Sequence, residues 1–132
     1  MKTKTLLRVC ASFEIVAGFV LIAVPDFVIR EIFGGGPLSS DVAIVGGGGL
    51  GLLLLGLVCW PIGDDIDEQL LWAQLAYNLP AALYLGYLRL KGGFTSALLW
   101  PTCALHGLIA MLLVGLVYEK FSTVKPGRAN QH

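Results

Sequence analysis

Charged residues are scarce in this sequence, and their scarcity excludes several classes of protein. They make up 14 % of the 132 residues, whereas a soluble domain carries about 25 %. The 9 basic residues balance the 9 acidic ones, so the formal net charge is zero. Nucleic-acid binding relies on an excess or a stripe of basic residues, which this sequence lacks. We therefore expect no nucleic-acid partner.

Patterns for metals and for haem are also missing. The three cysteines, Cys10, Cys59 and Cys103, form no CxxC pair. Each lies in or beside an apolar run, where a free cysteine usually packs as a small apolar side chain, so we expect no metal site. Of the two histidines, only His106 lies inside an apolar run, which excludes a haem held by two histidines of one chain. The sequence identifies no cofactor.

The sequence does contain four long apolar runs, over residues 6–24, 42–60, 70–88 and 97–118. Each is about 20 residues long, and as a helix it would cross the hydrocarbon core of a bilayer, which is roughly 30 Å thick. Backbone polar groups in lipid must pair within their own segment, so each run predicts a transmembrane helix. The sequence thus predicts a single all-α domain, an integral membrane bundle of four antiparallel transmembrane helices, with a polar tail over 119–132.

The basic residues predict how this bundle is oriented. Four spans place both chain ends on one side of the membrane, where six of the 9 basic residues lie, and the other three lie opposite. Because basic residues accumulate on the cytoplasmic side, we expect both termini in the cytoplasm. The lipid bilayer itself is therefore the first predicted partner.

A short amphipathic segment follows the first run. Phe27, Val28, Ile32 and Phe33 can share one helical face, with charged residues opposite. This spacing predicts a short helix lying at the membrane interface, ended by the glycines over 34–36.

The second run contains GGGGLG over residues 46–51. Gly47 and Gly51 have the GxxxG spacing that lets two membrane helices approach closely, so we predict helix packing through these two glycines. The partner helix could belong to the same chain, to a second copy in a homodimer or to a larger membrane complex. The same glycines could also form a flat wall for a lipid-like ligand.

Polar residues inside the runs are few, and they fall at similar depths. At the helical rise, Glu14 lies about 9 Å beyond the preceding basic residue, Asn78 about 12 Å into the third run and His106 about 15 Å from the cytoplasmic edge. A charge at the bilayer centre costs about 2.5–3.5 kcal/mol, so such residues face the bundle interior. Gln74 shares a face with Asn78, and Tyr77 is adjacent. This layer is a polar clasp that fixes the helix register or an interior pocket, or else the Glu14 side chain extends to the membrane interface and does not join the layer.

Three functions fit this pattern. The first is a binding protein, or an accessory subunit of a membrane complex, whose pocket holds a lipophilic molecule such as a quinone or a lipid. The second is a membrane enzyme that uses Glu14 and His106 as acid and base on such a molecule. The third is a structural homo-oligomer that packs through residues 46–51. The predicted ligand-binding residues are Glu14, Gln74, Tyr77, Asn78, Tyr84 and His106.

Several segments taken together resemble the DoxX-like proteins, a group of small bacterial four-helix membrane proteins. These segments are the acid early in the first run, LGLVCWP closing the second, YN in the third and LLWPTCALHG opening the fourth. The resemblance covers about residues 6–118. It implies the four-helix fold and a multi-pass location in the bacterial inner (cytoplasmic) membrane. DoxX-like proteins have been linked to quinone and redox metabolism, but we take no activity from the resemblance.

Overall fold

The computed structural model describes residues 3–34, 39–63, 68–91, 94 and 96–123. Within these residues the chain is all-helical and contains no strand, which confirms the predicted all-α class. The helices are α1 (Thr3–Ala23), α2 (Pro25–Val28), α3 (Ser39–Val58), α4 (Glu68–Lys91) and α5 (Leu99–Thr123). The tail over 124–132 lies outside the described residues.

Each of the four apolar runs lies largely within one of the four long helices. Two of them, Thr3–Ala23 and Leu99–Lys120, are long and apolar enough to cross a membrane. In α3 the apolar segment is shorter, Ile44–Val58, and α4 carries polar or charged residues at both ends. That any of the four long helices crosses a membrane remains a prediction.

The predicted short helix after the first run is present. It consists of α2 and a π-helical turn, Ile29–Phe33, and it ends at Gly34, whose φ of 74° is the left-handed conformation that glycine adopts readily. Of the predicted apolar face, Val28 is buried, Ile32 and Phe33 are partly buried, and Phe27 is 59 % exposed. Contact of this face with the membrane interface remains a prediction.

Helices α1 and α3 pack closely because small residues lie where they cross. A Cβ added to Gly18 would lie 2.6 Å from the backbone nitrogen of Leu53, and one added to Gly49 would lie 2.9 Å from the carbonyl oxygen of Gly18. Two turns further along α3, a Cβ on Gly56 would lie 2.8 Å from the carbonyl oxygen of Ala11. The contact is therefore backbone against backbone, as in close helix pairs of membranes.

The predicted GxxxG pair does not take part in this contact. Gly47 and Gly51 are exposed, and a Cβ added to either meets no atom of the described residues within 4 Å. Packing between α1 and α3 uses Gly18, Gly49 and Gly56 instead. Packing of Gly47 and Gly51 against a second copy or a larger complex remains a prediction.

Helices α4 and α5 form the second close pair. The Sγ atom of Cys103 donates to the carbonyl oxygen of Ala82 at 3.2 Å, and it lies 3.5 Å from the Cβ position of Gly86. An apolar core then joins this pair to α1. Its buried members are Leu6, Leu7, Cys10, Leu71, Leu75, Ile109, Ala110, Leu113 and Val117.

Contacts at one end of the bundle join the start of α1 to the chain after α3, and the end of α5 to the start of α4. The Lys4 ammonium donates to the carbonyl oxygen of Gly63, after α3. Lys120 near the end of α5 lies 3.7 Å from the carboxylate of Glu68, which begins α4. We call this the terminal end.

The opposite end, which we call the α2 end, holds the short helix. The rings of Phe33 and Phe94 meet edge to face at 5.8 Å, and the Ser96 hydroxyl donates to the carbonyl oxygen of Glu31. The four long helices therefore run up and down between two ends, as the short predicted connections required.

Candidate ligand cavity and its polar chain

Four buried polar residues from three helices form one hydrogen-bonded chain, which we call the polar chain. Gln74 Nε2 donates to Glu14 Oε2 at 2.7 Å, and Asn78 Nδ2 donates to Gln74 Oε1 at 3.2 Å. His106 Nδ1 lies 2.9 Å from Asn78 Oδ1. The exposed fractions of Glu14, Gln74, Asn78 and His106 are 2, 0, 2 and 6 %. These hydrogen bonds link α1 to α5 through α4, and the depth of the layer in a membrane remains a prediction.

The direction of every hydrogen bond in the polar chain follows from one backbone contact. Asn78 Nδ2 lies 2.9 Å from the carbonyl oxygen of Gln74, which can only accept. The Asn78 amide oxygen therefore faces His106, so His106 Nδ1 must be the donor. Each group donates toward Glu14. Since a neutral imidazole carries one N–H, Nε2 of His106 is left as an acceptor.

Glu14 ends the polar chain with one oxygen unpaired. Its Oε1 atom is buried and has no hydrogen-bond partner among the described residues. Native proteins contain few such atoms, because a buried polar group without a partner is costly.

A cavity of about 510 Å³ extends from the polar chain toward the α2 end. Residues of all the helices line it, and most of the lining is apolar. Ala17, Gly48 and Ala81 lie on its wall, one on each of three helices. Because these three side chains are small or absent, the helices leave volume between them that larger side chains would fill.

The floor of the cavity is aromatic and includes the imidazole of the polar chain. The ring of His106 meets the ring of Tyr77 edge to face at 5.5 Å and that of Phe13 at 6.5 Å. All three residues line the cavity. The imidazole is thus held on two sides by rings and on a third by Asn78.

The short helix borders the cavity at the α2 end. Val28, Ile32 and Phe33 line it there, and the contacts of Phe33 with Phe94 and of Ser96 with Glu31 hold this helix against the chain that precedes α5. The α2 segment, which the sequence placed at the membrane interface, therefore also contributes to the pocket.

The six predicted ligand-binding residues fall into two groups. Tyr77, Tyr84 and His106 line the cavity, and Tyr84 is 61 % exposed at its edge. The other three, Glu14, Gln74 and Asn78, do not line it but form the polar chain behind His106. Ligand binding by these six residues remains a prediction.

Sequence reasoning missed the apolar walls and one polar group. Thr102 lines the cavity and lies one helical turn before His106, on the same face of α5. Phe13 directly precedes Glu14, and its ring belongs to the floor. Helical spacing from His106 could have found Thr102, whereas no local pattern marks Ala17, Gly48 or Ala81 as cavity residues.

The geometry limits the chemistry available to the site. Glu14 and His106 stand at opposite ends of the polar chain, and only His106 lines the cavity. This arrangement does not favour a mechanism in which both act directly on one substrate. Among the described residues, no group of three or more His, Cys, Asp or Glu side chains could hold a metal ion.

Comparison of the chain with protein-family models, with curated proteins and with solved structures gives no match. The function therefore has to be inferred from the cavity and the polar chain.

Proposed function

We propose that this chain is an integral membrane protein of four transmembrane helices that binds a lipophilic molecule, such as a quinone or a lipid, in the cavity. The observation that carries this proposal is the cavity itself. Its volume of about 510 Å³ falls within the range of about 300–1,000 Å³ that ligand pockets occupy. Its apolar walls converge on a few polar groups, which is the usual composition of a small-molecule site.

Apolar side chains on the outside of the bundle support the membrane location. Val16, Ile44, Leu83 and Met111, one from each long helix, are 62, 72, 68 and 67 % exposed. Soluble monomers rarely expose contiguous apolar surface of this kind, because its contact with water is unfavourable. In a bilayer the same side chains would face lipid.

Aromatic residues at the two ends of the bundle support four spans. Trp60, Trp72 and Tyr118 lie near the terminal end and are 40, 47 and 74 % exposed, and Trp100 near the α2 end is 48 % exposed. Exposed Trp and Tyr at both ends are typical of helices that cross a bilayer. With the charge distribution and the DoxX-like resemblance, we place the protein in the bacterial inner membrane with both termini cytoplasmic.

The test is to extract the protein in a mild detergent and to measure the mass of the protein together with any bound molecule. Native mass spectrometry of the full chain should detect a bound lipophilic molecule. Ala81→Phe should release that molecule, because the ring would occupy the cavity that Ala81 lines. Ala76→Phe is the matched control, since Ala76 is exposed on the same helix and should keep the molecule.

Two results would contradict the proposal. One is a native chain that carries nothing beyond the detergent and lipid found on any membrane protein. The other is equal retention by the Ala81→Phe and Ala76→Phe variants, which would place the bound molecule outside the cavity.

A further inference from the structure

We infer that the cavity selects lipophilic molecules that carry a hydroxyl group over molecules whose polar atoms can only accept hydrogen bonds. This inference rests on the proposed binding function and adds the chemical class of the ligand. It follows from two side chains in the cavity wall, His106 and Thr102. Each already donates its polar hydrogen atom to another protein group, so each can only accept a hydrogen bond from a ligand.

The first of these side chains is His106. Its Nδ1–H is committed to Asn78 Oδ1 at 2.9 Å, and the orientation of that amide is set by the Gln74 carbonyl oxygen at 2.9 Å. The ring lines a largely apolar cavity, where a charged imidazolium without a counter-ion would be costly. The neutral ring therefore offers only the lone pair of Nε2 to a ligand.

The second is Thr102. A threonine hydroxyl has one hydrogen, and Thr102 Oγ1 lies 2.8 Å from the carbonyl oxygen of Leu98, to which it donates. What Thr102 offers the cavity is again an acceptor oxygen. Two polar groups on one face of α5 can thus accept hydrogen bonds from a ligand, and neither can donate one.

The tyrosines do not reverse this preference. Tyr77 and Tyr84 also line the cavity, but a phenolic hydroxyl can donate or accept, so it suits ligands of either kind. If a ligand placed a carbonyl oxygen against Nε2 of His106, neither that oxygen nor Nε2 would have a hydrogen-bond donor, because both can only accept. Losing one such hydrogen bond should weaken binding by about tenfold.

Binding of matched probes to the protein in lipid nanodiscs tests the inference. Tritiated para-decylphenol would be displaced by unlabelled para-decylphenol, by para-decyltoluene, in which a methyl replaces the hydroxyl, and by decylbenzoquinone, which has only carbonyls. We expect the phenol to bind about tenfold more tightly than the other two. Empty nanodiscs correct for partition into lipid.

A second pair, dodecanol and dodecyl methyl ether, separates aromatic from aliphatic sources of the hydroxyl. A preference confined to the phenol indicates a reduced quinone or another phenolic molecule. A preference confined to the alcohol indicates a lipid with a free hydroxyl. Equal binding of hydroxyl and non-hydroxyl members in both pairs would overturn the inference while leaving the binding function intact. If no probe binds and the extracted protein holds no lipophilic molecule, the binding function itself is wrong.

The proton position on His106 can be observed directly. Nitrogen NMR of the protein with isotope-labelled histidine should show His106 protonated at Nδ1 and not at Nε2. His132→Gln removes the other histidine signal. A ring protonated at Nε2, or at both nitrogens, would overturn the inference.

Two variants separate recognition from packing. His106→Phe keeps an aromatic ring in the floor and should reduce the phenol preference to the part that Thr102 contributes, while the toluene analogue still binds. Asn78→Leu releases Nδ1, so both tautomers should become populated and the ratio of phenol to quinone affinity should fall. Loss of overall binding with that ratio unchanged would mean that Asn78 does not position the imidazole. If either variant fails to fold, the probe comparison and the NMR measurement on the native chain still decide.

Discussion

The contact between α1 and α3 allows one prediction to be worked out from distances. In Gly18→Ala the new Cβ would lie 2.6 and 2.9 Å from the backbone nitrogen and Cα of Leu53 and 2.7 Å from the carbonyl oxygen of Gly49. Carbon atoms in good contact stand about 3.5–4.0 Å from their neighbours. Because the neighbours are backbone atoms, no side-chain rotation can relieve the clash. The two helices must therefore separate by about 1 Å.

This separation sets the size of the effect. A radial gap of about 0.5–1 Å forfeits a quarter to a half of the contact energy of each atom pair it opens, and overpacking a close interface typically costs about 1–3 kcal/mol. Alanine regains about 1 kcal/mol over glycine in helix propensity. We expect Gly18→Ala to lower the free energy of unfolding by about 1 kcal/mol net, within a range of about 0–2 kcal/mol.

The control is the same substitution where space is open. A Cβ added to Gly115 in α5 meets no described atom within 4 Å, so Gly115→Ala should leave stability unchanged or raise it by up to about 1 kcal/mol. Unfolding by SDS in dodecyl maltoside micelles, followed by tryptophan fluorescence, measures both variants. A Gly18→Ala protein as stable as the Gly115→Ala protein would refute the close backbone contact.

Three further predictions concern the polar chain, the glycine face and the topology. Asn78→Leu should lower the free energy of unfolding by about 1–4 kcal/mol in the same assay. His106 Nδ1 and Gln74 Oε1 would lose their hydrogen-bond partners, at about 1–3 kcal/mol each, and burial of the leucine side chain would offset part of this loss. Unchanged stability would mean that the polar chain contributes nothing to folding. Gly47→Leu should fold normally, because its position is open, and should abolish self-association in native mass spectrometry if the homodimer prediction is right; a variant that cannot fold would place this face inside the bundle. In intact cells of a cysteine-free background, a membrane-impermeant maleimide should label Asp26→Cys and spare Ser122→Cys, and labelling of both would contradict four spans.

The polar chain shows how much of a site can be predicted from a sequence of long apolar segments. Depth follows from the rise of about 1.5 Å per residue once the ends of a span are known. Glu14, Asn78 and His106 could therefore be assigned to one layer, and the hydrogen bonds through Gln74 connect them. Depth alone did not tell whether each residue faces a cavity or another side chain. That distinction separates His106, which lines the cavity, from Glu14, which does not.

The glycines illustrate what spacing leaves undecided. The GxxxG pattern of Gly47 and Gly51 identifies two residues on one face of α3, but it carries no information on where that face points. In the structure Gly49 and Gly56 meet α1, and Gly47 and Gly51 face away from it. The rotation of a helix about its axis depends on the side chains of its neighbours, which a single apolar segment does not contain.

The sequence by itself determined the helical class, the four apolar segments and the short helix after the first, because each depends on residues close together in the chain. The cavity, the close pairing of α1 with α3 and the direction of the hydrogen bonds toward Glu14 were decided only by the tertiary structure. The cavity exists because Ala17, Gly48 and Ala81, which are far apart in sequence, lie on facing surfaces of three helices. The acceptor character of His106 likewise depends on a backbone carbonyl that orients Asn78, and only the packed helices bring those groups within hydrogen-bond distance.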